Sequence, residues 1–379
     1  MTRSLALWAL AAVVAPGSVN AEPHLSARSG LRCARCHTSP TGGGKRTPYG
    51  TLYSHTSLPS AWTRPRARVP VVRDGDSGSW VVTSVTSTLA TGEVTPWLGV
   101  GADLRVASDT TFAEDDTDIS LDATEGTLYL ELRPWPDRVV LYLDEQIAAG
   151  GAQSREAWAL IRGPWSTYLR GGWLLPPFGI RLLDDDTLTR RATGANFANP
   201  DMGLELGLDV GPVFGAVAMT NGNFAAADND PYKAFWALLE LNLDVGRVGL
   251  SGHYNPSEEG CRAMMGGHVA ARLGRLVLQG ELDLISDRPA DRSQWRHGVA
   301  GMAELDLLVT RGVALRAGYD YHDASLELPQ DRRQRIKLGV DLFPLRMAEV
   351  KLYYLLKQAE TAQPLDDADR LEVVLHVYL

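Results

Sequence analysis

The chain predicts an all-β protein, a transmembrane antiparallel β-barrel of about 16 strands, and three observations carry that expectation. From Trp97 onward, runs of about ten residues alternate apolar and polar side chains, the period of a strand with one face in lipid and one in a polar lumen. Every second connection between those runs is tight, at 134–137, Pro164-Trp165, Gly211-Pro212, Val245-Gly246, Gly274, Thr310-Arg311 and Pro344-Leu345. No run of 18 or more apolar residues follows residue 21, so no spanning helix is expected.

Taken in order, residues 1–21 carry Arg3, an apolar run from Leu5 to Val14 and the small-residue end Val19-Asn20-Ala21. They read as a secretory signal peptide cleaved after Ala21. Residues 22–73 form the next unit, with nine basic residues against Glu22 as its one acid. The remainder, 74–379, holds 27 basic and 45 acidic residues. Two readings stay open for this contrast, a solvated basic arm and a segment drawn into an acidic body by Coulomb attraction. The acidic balance of the whole chain, net −9, excludes nucleic acid as a partner class.

Within that basic segment stands Cys33-Ala34-Arg35-Cys36-His37. C-x-x-C-H is the attachment signature of a c-type haem: two thiols two residues apart meet the two vinyl groups, and the adjacent imidazole becomes the iron ligand. Cys33 and Cys36 are therefore expected to form the thioethers of one covalent haem c, with His37 on the iron. A structural zinc site needs further Cys or His ligands that the neighbourhood does not supply. A redox disulfide needs a thioredoxin-like βαβ context that is absent. With no methionine between Met1 and Met202, the candidate distal iron ligands are His55 and His24, with a lumen side chain, an amine or water as the remaining choices. Gly42-Gly43-Gly44 reads as a flexible turn at the haem edge, placing Lys45 and Arg46 toward the haem propionates. About 50 residues make a small core, so the segment is expected to need both the haem and a supporting surface. Residues 59–78 read as an extended linker, and 74–96 as linker or plug.

The barrel is expected over 97–379, with strands near 97–108, 121–133, 138–147, 155–163, 166–174, 202–210, 212–220, 232–245, 246–254, 265–274, 275–285, 296–309, 311–322, 332–343, 346–356 and 369–379. The last shows the pattern best: Leu371, Val373, Leu375, Val377 and Leu379 share one face, Glu372, Val374, His376 and Tyr378 the other. Short turns belong on the periplasmic rim and long loops, the longest 176–201, outside. The haem segment then lies on the periplasmic side or inside the lumen. Trp97, Trp135, Trp165, Trp173, Tyr254, Trp295, Tyr319, Tyr354 and Tyr378 are candidate interface girdles. The phase points Asp103, Glu131, Asp144, Glu205, Glu240, Glu281, Asp283, Glu304, Asp306, Asp320 and Asp341 into the lumen, with Arg105, Arg162, Arg170, Arg272, Arg316 and Lys337. Such charge density suits a wet lumen. His253, His268, His322 and His376 join them, either as a relay or as solvated side chains. Cys261 reads as a lone thiol in an external loop. The acidic stretches 114–118, 184–186, 228–230 and 258–259 could capture hard cations or be solvated loop tips.

Ser26-Ala27-Arg28-Ser29-Gly30 leading into C-x-x-C-H after a signal peptide, followed by an alternating barrel, resembles the fused outer-membrane monohaem cytochrome–porins associated with bacterial iron oxidation. Tyr49-Gly50 stands where that family has Phe-Gly, and His24-Leu25 departs from its proline-aromatic pair. The resemblance implies an outer-membrane electron conduit in which one haem passes electrons between an extracellular donor or acceptor, Fe²⁺ among them, and periplasmic cytochromes or other carriers. Whether that amounts to an enzyme is left open. A transport porin with a haem-bearing N-terminal plug is the second reading, and a periplasmic haem protein with a non-membrane β domain the third.

Overall fold

A computed structural model describes residues 22–60, 71–73, 80–82, 91–112, 117–148, 151–182, 186–224, 226, 228, 230–291, 294–328, 331–360 and 368–379. The signal sequence and most of the expected linker lie outside these residues. Sixteen antiparallel strands close into one barrel: β1 (Leu98–Phe112), β2 (Thr117–Trp135), β3 (Val139–Ala148), β4 (Gln153–Arg162), β5 (Thr167–Leu174), β6 (Asp201–Val210), β7 (Val213–Thr220), β8 (Ala234–Leu243), β9 (Gly246–Ser257), β10 (Gly260–Leu273), β11 (Leu276–Pro289), β12 (Arg296–Thr310), β13 (Val313–Asp323), β14 (Arg332–Leu345), β15 (Ala348–Ala359) and β16 (Asp369–Tyr378). The seam is the pairing of β16 with β1, in register from Asp369 opposite Phe112 to Tyr378 opposite Asp103. Closure leaves no strand edge, the condition for putting backbone into hydrocarbon. Outside the barrel wall, Val71–Arg73 pairs with Trp80–Val82.

Alternation decides the faces. Along β6, Leu204, Leu206 and Leu208 are exposed outward while Glu205 is fully buried inward. Along β16, Val373, Leu375 and Val377 face out while Glu372, Val374, His376 and Tyr378 are buried. The outer surface is thus an apolar band, and moving it from water into hydrocarbon is favourable by roughly 25 cal/mol per Å². No helix among the described residues is long and apolar enough to cross a membrane; the strands make the wall.

Folded chain occupies much of the lumen. Two insertions occupy it. The first is the N-terminal segment: α1 (Pro23–Ser29), α2 (Cys33–Cys36) and α3 (Pro48–Thr56). Proline at the first turn starts α1, and Gly30 at φ 69° ends it in the left-handed conformation. Ala27 packs on Ala270 of β10 and Val277 of β11. The segment's basic residues then find acids of the wall. Arg28 pairs with Asp306 and Arg32 with Asp209. Arg46 meets Asp103 at 3.0 Å, and Lys45 meets Glu131 at 3.0 Å. Of the two readings of the charge contrast, the structure has the inserted segment. It sits at the rim of tight turns, where Arg32 donates to the carbonyl of Gly211 (2.6 Å) and Phe343 accepts from the Ser60 N–H (2.9 Å).

The second insertion is the connection between β5 and β6, expected as the longest external loop. It folds inward instead. Leu174, Leu175, Phe178, Ile180, Leu182 and Leu188 are buried, and its helix α4 (Leu188–Thr193) packs on β11 to β14. Apolar side chains hold it there, with Arg190 paired to Glu281 and the Ile180 N–H donating to that carboxylate at 2.6 Å.

Several placements differ from expectation. Tyr378 is a buried lumen residue beneath Arg46, 4.3 Å from guanidinium carbon to ring centroid, rather than part of a girdle. Trp97, Trp135 and Trp165 do stand exposed at the tight-turn end, and Tyr254, Tyr319 and Tyr354 on the outer face. Arg162 and Arg272 lie at the rim, donating to the carbonyls of Pro136 and Arg28. Cys261 is a buried residue of β10, because that strand reaches several residues further out than its sequence pattern suggests.

Candidate haem-binding cavity

Cys33, Cys36 and His37 line a cavity inside the barrel with about 1480 Å³ of empty space, part of it open to solvent. Its other walls are α1, α3, the 40–46 loop, the inward connection at 177–181, and side chains of β1, β2, β4, β7, β8, β9, β14, β15 and β16.

The local backbone explains how the motif is presented. The chain doubles back after His37, which bridges to Arg46, so that Thr38 N–H donates to the Lys45 carbonyl and Thr47 N–H to the Cys36 carbonyl, both at 2.9 Å. Thr47 caps α3 by accepting from the Gly50 N–H at 3.1 Å, and its hydroxyl donates to the Arg35 carbonyl at 2.7 Å. The turn itself runs through left-handed backbone. Gly42, Gly43 and Gly44 all have φ between 65° and 93°, and a Cβ on Gly43 would stand 2.5 Å from the Phe197 ring. Gly50 matters for closeness: a Cβ there would fall 2.2 Å from the Cys36 carbonyl oxygen.

The residues suit a c-type haem in three respects. His37 Nδ1 lies 3.3 Å from the Gly44 carbonyl; an N–H donated there fixes the tautomer that leaves Nε2 for a metal. Burial, with the Arg46 charge adding to it, pushes the imidazole down to about 4, so it is a neutral donor at ordinary pH. Both thiols are free, and burial pushes Cys36 up to about 12. Among the described residues, the one group that gathers three metal-ligating atoms is His24, Asp306 and Asp341. It excludes the Cys pair, so zinc on Cys33 and Cys36 finds no further ligands.

The candidate distal ligands fall elsewhere. His24 is buried on α1 with Nε2 3.5 Å from Asp306, and burial together with the Arg316 charge holds it well below the usual imidazole range. His55 is buried in α3 and lowered by burial and then by Arg346. Neither ring lines the cavity; the imidazole that does, besides His37, is His376. Its Nε2 is 3.0 Å from Asp103 and its Nδ1 3.2 Å from Glu349. His253 stacks on Trp236 with ring centroids 3.7 Å apart, and His268 meets Glu240 at 2.9 Å. These three imidazoles meet different neighbours, and among the described residues no hydrogen bond joins one of them to another. Lys45 and Arg46 are both tied to wall carboxylates, and of the two only Arg46 reaches the cavity. Of the acidic stretches, 114–116 and 184–185 lie outside the described residues, and Asp186 is paired with Arg370 at 2.7 Å.

A network not evident from sequence joins this segment to the seam. Asp103 accepts from Arg46 and His376 at 3.0 Å each and from the Tyr129 hydroxyl at 2.6 Å. Its members come from β1, β2, β16 and the inserted segment, so only closure brings them together.

No family model matches the chain, and no curated protein matches it. Solved structures do. A loop-deletion mutant of OmpT, an outer membrane protein of Vibrio cholerae, superposes with a TM-score of 0.58 at 12% identity, covering 74% of this chain and 99% of that one. An anion-selective porin from Comamonas acidovorans gives 0.58 at 11%, covering 74% and 99%. The outer membrane channel DcaP of Acinetobacter baumannii gives 0.54 at 11%, covering 74% and 97%. At such identities the likeness is one of fold: this chain is a porin-type 16-stranded barrel.

Proposed function

We propose that the chain is an outer-membrane barrel that carries one covalent haem c in its lumen and serves as an electron conduit between an extracellular partner and periplasmic carriers. The observation that supports it is the placement of Cys33, Cys36 and His37 on one lumen cavity, with Nδ1 of His37 tied to the Gly44 carbonyl. Each thiol adds its sulfur and proton across a vinyl double bond, which needs no external oxidant. When bound, the haem supplies a one-electron ferric/ferrous couple. The chain's own residues do the rest. His37 would hold the iron side, left-handed Gly42 lets the turn lie against Cys33, and the paired lumen charges hold the cavity walls in place. Intact mass of the exported protein tests this: a porphyrin adduct is expected, and it is lost in the Cys33→Ala, Cys36→Ala double variant. Adding Fe²⁺ to the ferric protein should then reduce the haem spectrum; an unloaded Cys pair in the exported protein ends the reading.

A transport porin with a plug is the second reading, and the porin and channel neighbours favour it. Against it stands a lumen occupied from both sides. Planar-bilayer conductance near that of an open 16-stranded porin from the full chain would select it.

A further inference from the structure

Six guanidinium groups line the cavity, those of Arg32, Arg46, Arg105, Arg155, Arg181 and Arg247. Five have a carboxylate within ion-pair reach: Asp209 for Arg32, Asp103 for Arg46, Glu125 for Arg105, Asp144 for Arg155 and Glu240 for Arg247. Arg181 has none among the described residues. Its Nη2 donates to neutral acceptors alone, Thr41 Oγ1 at 2.7 Å and the Leu175 carbonyl at 3.1 Å, with the Pro176 carbonyl at 3.5 Å. The group is walled in by the inward connection and the Phe197 ring, whose centroid is 5.4 Å from its guanidinium carbon. What exposure it keeps is toward the cavity.

A guanidinium in such surroundings is costly unless an anion meets it. Its planar fork matches a carboxylate in two-point contact. Thr41, which holds it, precedes Gly42, whose own Cβ would touch the Cys33 Cβ at 2.9 Å, so the charge is carried on the same turn that covers the thiol. We infer that Arg181 is the binding residue for a carboxylate of the cavity's occupant, which under the haem reading above is a haem propionate. Lys45 and Arg46, to which the sequence assigned that role, are already neutralised by the wall. The proposal rests on the haem reading, and its test keeps the two apart.

The test uses the full exported chain in detergent as wild type, Arg181→Gln and Arg181→Lys. Intact mass first establishes the porphyrin adduct; its absence from the wild type overturns the haem reading and this assignment with it. With the adduct present, resonance Raman reads the propionate bending band. The expected result is a shift to lower frequency in Arg181→Gln and a smaller one in Arg181→Lys, which keeps the charge but not the fork. At a fixed ambient potential the ferric-to-ferrous ratio of Arg181→Gln should rise on the order of tenfold, since a positive charge near the iron has been removed. A band at the wild-type position in Arg181→Gln, with haem attached, overturns the assignment of Arg181 alone. Should that variant fail to fold, the wild type decides: a propionate band unmoved by full exchange of N–H for N–D after refolding in D₂O overturns the assignment, and a shifted band supports it.

Discussion

Gly43 concentrates the argument at the residue scale. It is left-handed at φ 80° and its missing Cβ leaves room for Phe197, the ring that also lies under Arg181. Gly43→Ala is expected to cost about 1–3 kcal/mol from strain and overlap together, read as faster proteolysis of residues 22–60. Gly252→Ala, where an added Cβ meets nothing within 4 Å, should leave the proteolysis rate unchanged. The C-x-x-C-H motif was legible because its chemistry is written in five consecutive residues. Arg181 was not, since its meaning depends on having no carboxylate within ion-pair reach among the described residues, and only the fold fixes which acids its neighbours claim.

Among the elements, α3 and the seam carry the stability of the inserted segment. Thr47→Ala removes the cap of α3 and the bond to the Arg35 carbonyl, a loss of about 1 kcal/mol. It should appear as earlier thermal loss of helical signal from the segment with the barrel transition unmoved. Asp103→Asn goes further, because it leaves the buried Arg46 charge without its partner; a cost of roughly 3–5 kcal/mol is the usual size. The variant should expose residues 22–60 to protease in folded barrels, and an unchanged digestion pattern would show that the segment is held by other contacts. The strands were read well because parity survives along their lengths. Their outer ends were read short, as at Cys261, since near the rim polar residues occupy both faces. Parity also contained the answer for Tyr378, which shares its face with His376, and the expectation of an aromatic at a strand end overrode it.

For the whole molecule, the two insertions close the lumen from different sides. Length alone predicts an external loop between β5 and β6, yet Leu175, Phe178, Ile180 and Leu182 are apolar in a way that solvated loops are not, and they are the signal for its inward course. Removing 22–60 therefore leaves a second barrier. The deletion is expected to raise single-channel conductance only modestly in planar bilayers, and the deletion combined with Arg190→Gln, which frees α4 from Glu281, to raise it several-fold more. A full-size pore from the deletion alone would show that the inward loop does not seal.

The Asp103 network imposes a sequence of events on biogenesis. Its bond to His376 forms only when the first and last strands meet, and by then the segment stands inside a closed wall. Under the haem proposal the thiols are loaded first, while the chain is still unfolded, and cells deprived of the attachment pathway should accumulate a folded, heat-modifiable barrel whose thiols no later supply of haem can reach.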